Sequence, residues 1–85
     1  MAVIRLPALL AEQAGGQKQF ESGAATLGDA LRALPVADLL FDEHGALRPL
    51  VNLYVDGRDA RDAEGLETRL GDGSEVRVVQ AVAGG

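Results

Sequence analysis

Asp72-Gly73-Ser74-Glu75-Val76-Arg77-Val78-Val79 is a turn followed by a β-branched run, and it continues without a break into Gln80-Ala81-Val82-Ala83-Gly84-Gly85. The stretch from Ser74 to Gln80 predicts a strand, with Val76 and Val78 on one face and Arg77 and Val79 on the other. Gly71-Asp72-Gly73 lacks the third glycine and the following helix of a nucleotide-binding fingerprint, so it reads as the turn into that strand. A buried strand seldom runs straight into a terminus unless the terminus has a use. The final carboxylate, on Gly85, is therefore expected to be the reactive group, with the residues upstream as its scaffold. Glycines lack a Cβ, so Gly84 and Gly85 accept almost any φ and ψ and let another backbone approach closely. Five extended residues reach roughly 17 Å, which leads us to expect a flexible tail over 81–85 that threads a channel in a second protein. The competing reading is a frayed end, and the internal pair Gly15-Gly16 shows that Gly-Gly alone says little.

Working back along the chain, Leu50 to Val55 predicts a strand with Val51, Leu53 and Val55 on one face and Asn52 and Tyr54 on the other. Asp56-Gly57 is a strong hairpin turn that returns the chain through Arg58-Asp59-Ala60. Thr26 to Leu34 predicts the main helix: Thr26 suits the N-cap and Asp29 the acid of a capping box, while Leu27, Ala30, Leu31 and Leu34 form one apolar face. Pro35 closes that helix or starts a second short turn from Val36 to Phe41. Ala2 to Leu6 predicts a first strand ended by Pro7, and Ala8 to Ala14 a turn of helix stopped by Gly15-Gly16. Gln17 to Glu21 then reads as an edge strand, in which Lys18, the only lysine, is an edge charge that discourages aggregation or a partner contact. Leu66 and Leu70 are expected to anchor a short turn to the core. Periodicity thus predicts a small α+β domain over residues 1–80, a sheet packed on a helix, followed by the tail over 81–85.

Composition narrows the chemistry. At 85 residues the chain is one domain, and a domain of this size buries only about 60–65% of its unfolded surface. There is little room for a catalytic cleft, which favours a binding or carrier role over a self-contained enzyme. The net charge of −5 argues against a nucleic-acid binder, which needs clustered Lys and Arg; it suits steering toward a basic partner surface. Cysteine is absent, which removes disulfides, thiolate-bound metal and any thiol nucleophile. His44 has no second histidine to share a metal and no placed nucleophile, so it reads as a solvated loop residue. Asp59, Asp62, Glu64 and Glu67 miss the spacing of a calcium loop and read as a solvated acidic loop, so no metal site is expected. No apolar run approaches the roughly 20 residues of a membrane span, and the first residues lack the features of a signal peptide. A cytoplasmic protein without membrane partners is expected.

Val51-Asn52-Leu53-Tyr54-Val55-Asp56-Gly57, then Asp72-Gly73-Ser74-Glu75-Val76, then Ala81-Val82-Ala83-Gly84-Gly85 resemble, in that order, the ubiquitin-like sulfur-carrier family. That family includes the small subunit of molybdopterin synthase and the thiamin sulfur carrier. Gly15-Gly16-Gln17-Lys18 and Thr26-Leu27-Gly28-Asp29-Ala30-Leu31 are similar to the branch that donates sulfur in an alternative cysteine synthesis, from which Pro35 to Arg48 departs. The resemblance implies the β-grasp fold, a mixed sheet packed on one main helix with its first and last strands parallel at the centre. It implies a non-enzymatic cosubstrate that binds no cofactor, the ATP being used by a ubiquitin-activating-type enzyme that adenylates Gly85. A sulfur donor would then leave a thiocarboxylate for a sulfur-accepting synthase. A metalloprotease that trims the tail is a further partner the resemblance suggests.

Cysteine synthesis is the expected use, with molybdopterin, thiamin, thiolated tRNA and sulfur-containing secondary metabolites as alternatives. A ubiquitin-like modifier and a plain interaction domain stay open beside the carrier. If Ile4, Leu6, Val51, Leu53, Val55, Val76 and Val78 cover the helix, the other sheet face displays Val3, Arg5, Asn52, Tyr54, Arg77 and Val79. Val3, Arg5, Tyr54, Arg77 and Val79 are therefore expected to dock the partner, because apolar residues clustered with an aromatic and arginine often mark such surfaces. Ala81, Val82 and Ala83 would lead Gly84 and Gly85 into the partner's channel.

Overall fold

The computed structural model describes residues 1–80. In chain order the elements are β1 (Ala2–Arg5), α1 (Ala8–Gln13), β2 (Gln19–Ser22), α2 (Leu27–Arg32), α3 (Ala37–Leu40), β3 (Val51–Val55), β4 (Arg58–Asp59) and β5 (Glu75–Gln80), with 3₁₀ turns at Ala60–Asp62 and Gly65–Glu67 between the last two. The five strands form one sheet in the order β2-β1-β5-β3-β4. β1 and β5 are parallel, Ile4 opposite Val76 and Arg5 opposite Arg77, and the other pairs are antiparallel. This is the mixed, centrally parallel sheet of a β-grasp domain.

Alternation decides what the sheet buries. Ile4, Leu6, Val51, Leu53, Val76 and Val78 are all buried, and Val55, at the hairpin end, is half-buried. They pack with Leu27, Ala30 and Leu31 of α2, and with Val36 and Leu40 around α3. Among the described residues no polar or charged side chain is buried, so the core carries no charge that needs a partner. Leu66 and Leu70 are half-buried against the core, as anchors should be.

The boundaries differ from the sequence reading where particular residues intervene. α2 is shorter than Thr26 to Leu34 because the residue before Pro35 is disfavoured in the helical region; Ala33 is its C-cap, and the chain resumes as α3. Thr26 caps α2, its Oγ1 accepting from the Asp29 N–H at 3.3 Å. Asp29 turns its carboxylate to Arg32 instead, 3.9 Å away, so the observed contacts include only one arm of the capping box. β2 starts two residues later than Gln17, at Gln19, because Gly15 and Gly16 turn the chain with φ of 73° and 88°. Lys18 thus lies just outside the strand, although its carbonyl still accepts from the Leu6 N–H at 2.8 Å. Asp56 and Gly57 both have positive φ, the geometry of the tightest hairpin connection. The stretch from Asp59 to Glu67 is not a simple solvated loop. Asp59 caps the first 3₁₀ turn, its Oδ1 accepting from the Arg61 N–H at 2.9 Å, and Ala60 is buried beneath it.

Candidate functional site

The candidate site is the sheet face turned away from α2, at the end where β5 reaches Gln80. The register brings its residues together from three strands. Arg77 lies opposite both Arg5 on β1 and Tyr54 on β3, and Val79 lies opposite Asn52. Val3, one alternation before Arg5, shares the face. Arg5, Arg77 and Val79 are exposed, while Val3, Asn52 and Tyr54 are half-buried. All five residues expected to dock a partner from within 1–80 are therefore on one surface. Gly85, Gly84, Ala83, Val82 and Ala81, expected as the reactive terminus and its lead, lie outside the described residues.

The face is not a uniform apolar patch. Glu75 sits between its two arginines, 3.0 Å from Arg5 Nε and 3.7 Å from Arg77 Nη2. On one side, Tyr54, Gly57, Glu75, Arg77 and Val79 border a recess of about 430 Å³. On the other, Arg5, Leu6, Pro7, Lys18, Gln19 and the last residues of β5 border a groove of about 420 Å³. Lys18 joins Arg5 and Arg77 there, which the edge-charge reading did not anticipate. The net charge of −5 suited a basic partner surface, but this part of the molecule is locally cationic.

Arg61 was not singled out by sequence. Its Nη2 donates to Asn52 Oδ1 at 2.9 Å and to Asp59 Oδ2 at 3.0 Å, tying the 3₁₀ turn to the margin of the face. The hydrogen bond from Arg61 holds the Asp59 carboxyl below its ordinary range and raises the guanidinium in return. No spacing rule joins Asn52 to Arg61; the Asp56-Gly57 turn does. At the far end of β1, the Met1 ammonium donates to Asp72 at 2.7 Å and holds that carboxyl low as well.

His44 stands exposed in a loop whose backbone N–H, with that of Ala46, donates to Asp42 Oδ1. Among the described residues no group of three His, Cys, Asp or Glu side chains could hold a metal ion, and no helix is long and apolar enough to cross a membrane. The arrangement can present a docking surface next to the strand that leads to residues 81–85.

Comparison with known proteins gives this surface a context. The sequence model of the ThiS family matches residues 4–85. The sulfur carrier protein CysO of Mycobacterium tuberculosis is 35% identical over 89 residues, 96% of each chain being covered. A chain of the crystal structure of the Amycolatopsis orientalis BexX/CysO complex superposes with a TM-score of 0.84 at 28% identity, covering 100% of both chains. The solution structure of the small archaeal modifier protein SAMP1 from Methanosarcina acetivorans superposes with a TM-score of 0.87 at 26% identity, covering 99% of this chain and 95% of that one.

Proposed function

The chain belongs to the ThiS family, and from that premise we propose that it is a sulfur carrier working through the carboxylate of Gly85, the last residue of its active form. A carboxylate is a poor electrophile because resonance spreads its charge. In adenylation by an ATP-dependent activating enzyme, one carboxylate oxygen attacks the α-phosphorus of ATP, forming an acyl-adenylate with a good leaving group and releasing pyrophosphate. A sulfur nucleophile then displaces AMP and leaves a thiocarboxylate. Its sulfur is ionised at neutral pH and attacks an acceptor held in a synthase, displacing the acceptor's leaving group; water then cleaves the acyl link between carrier and product and regenerates the carboxylate. The chain is a cosubstrate here, in the cytoplasm, with ATP bound by the activating enzyme. The match that runs through residue 85 carries this reading, since it takes in Gly84-Gly85 as well as the domain.

The proposed acceptor pathway is cysteine synthesis, which the 35% identity to CysO favours. A metalloprotease that trims a longer precursor fits the same scheme. That one CysO is found in complex with BexX supports docking to a partner protein; the proposed docking residues are Val3, Arg5, Tyr54, Arg77 and Val79 on the sheet, with Ala81, Val82 and Ala83 leading Gly84 and Gly85 inward.

Intact-mass measurement after incubation with ATP, an activating enzyme and sulfide tests the proposal. A gain of about 16 Da, the oxygen-to-sulfur difference of the family chemistry, is expected. No gain, or the same gain on a chain lacking Gly85, overturns it. The likeness to SAMP1 favours a second reading, a protein modifier joined to amines through the same activated carbonyl. A ladder above 8.8 kDa on a blot of cell extract is the expected result for that reading, and only free and thiocarboxylated species for the carrier.

A further inference from the structure

Among the described residues, the last ones of β5 have a strand neighbour on one side only. On the β3 side, Val79 and Gln80 pair with Asn52 and Val51. On the β1 side the pairing stops at Arg77, opposite Arg5. The bond from the Val3 N–H to the Ser74 carbonyl, 2.8 Å, sets which residues of β5 point their backbone groups toward β1. By strand alternation they are Ser74, Val76, Val78 and Gln80. The donor that the parallel register requires for the Val78 carbonyl is the N–H of residue 7, and Pro7 has none. There the chain leaves the sheet for α1, so the Val78 carbonyl and the Gln80 N–H border the groove instead of a strand.

Among the described residues the rim of that groove carries Arg5, Lys18 and Arg77 and no carboxylate, in a chain of net charge −5. Glu75 reaches the two arginines from the other side, and Lys18 has no carboxylate within ion-pair distance among the described residues. The local balance therefore favours a negatively charged occupant. Leu6, Pro7 and Val79 supply apolar surface between the charges. We propose that an extended acidic segment of a partner protein adds to β5 here, bonding to Val78 and Gln80 in line with β1 and setting its carboxylates against Arg5, Lys18 and Arg77. Strand addition supplies affinity through main-chain bonds, and the side-chain surroundings supply selectivity. Its use in sulfur transfer rests on the carrier reading; the binding itself does not.

The probe is a short synthetic peptide alternating glutamate and valine, followed by amide shifts of the labelled full chain. Saturable shifts are expected at Arg5, Lys18, Gln19 and Val78 to Gln80, with slowed exchange of the Gln80 amide. Lys18→Glu is expected to weaken binding about fivefold, the upper range for one exposed charge pair. Pro7→Ala supplies the missing N–H, extends the β1 ladder and closes the edge; a loss of about tenfold is expected, the scale of one hydrogen bond. An unshifted melting temperature for both variants shows that the fold is intact. Unsaturable shifts, equal binding of a peptide with serine for glutamate, or undiminished binding by both variants each overturn the proposal and leave Pro7 and Lys18 as guards of a sheet edge. Concentration-dependent shifts at these residues without peptide would assign the groove to a second copy of the chain and overturn it too. The mass test of the carrier reading is independent of every arm.

Discussion

Gly28 is a glycine for reasons of space. A Cβ on it would lie 3.2 Å from the Leu66 carbonyl oxygen and 3.3 Å from Leu66 Cβ, so α2 and the 3₁₀ turn at Gly65–Glu67 touch through this position. Gly28→Val should lower stability by about 1–3 kcal/mol, as overpacking does, read as a shifted urea midpoint; an unchanged midpoint would show that the turn simply yields. Asp59 makes a prediction about acid. Its folded pKa is depressed from 3.8, first by the hydrogen bond from Arg61, so its contribution is fully present above 3.8 and disappears as pH falls through the lower folded value. Carbon-detected titration of the Asp59 carboxyl should therefore give a midpoint below 3.8, and Arg61→Ala should raise that midpoint, the backbone N–H at position 61 still donating to Oδ1. A wild-type midpoint at or above 3.8 would contradict the Arg61 contact.

At the scale of elements, α2 depends on its cap and the sheet on its alternation. Thr26→Ala removes the acceptor for the Asp29 N–H and should cost about 1 kcal/mol, a fall in Tm of roughly 4–8 °C for a domain of this size. Asp29→Ala should cost less, since its carboxylate points to Arg32 rather than back to the cap. The outer face of β3 and β5 makes the complementary prediction. Tyr54→Ala and Val79→Asp should each weaken binding to the proposed activating enzyme by about 1–3 kcal/mol, the range of interface hot spots, with smaller effects on Tm because Val79 is exposed and Tyr54 only half-buried. Calorimetric affinity unchanged in the double variant would place the docking surface elsewhere.

Across the whole molecule the two sheet faces divide the labour. One face and the helices close a core in which Ile4, Leu27, Leu31, Leu40, Val36, Val76 and Val78 are fully buried. Leu31→Ala should cost about 2–5 kcal/mol, a large share of the 5–15 kcal/mol that holds a typical domain together. Denaturant unfolding measures it, and a loss below 1 kcal/mol, outside the range for buried leucine, would contradict the burial. Residues of the other face can change with little effect on that core, which leaves a small domain free to keep a stable scaffold beside the proposed docking surface.

What the sequence determined by itself was local. The two-residue alternation in Val51–Val55 and Glu75–Gln80 and the helical spacing of Leu27, Ala30 and Leu31 depend only on neighbours along the chain. From them the buried face of each element could be read before any partner was known. Asp56-Gly57 declared its turn in the same way. Strand order did not follow from period; the family resemblance supplied it, and the parallel register of β1 with β5 is a fact of the structure. Only the tertiary structure brought Lys18 beside Arg5 and Arg77, tied Arg61 to Asn52, pressed Gly28 against Leu66 and ended the pairing of β5 with β1, among the described residues, at Arg77. Each of these is a meeting of segments distant in sequence. Periodicity records which side of a segment avoids water, whereas the meeting of two segments is decided by how all of them share one core.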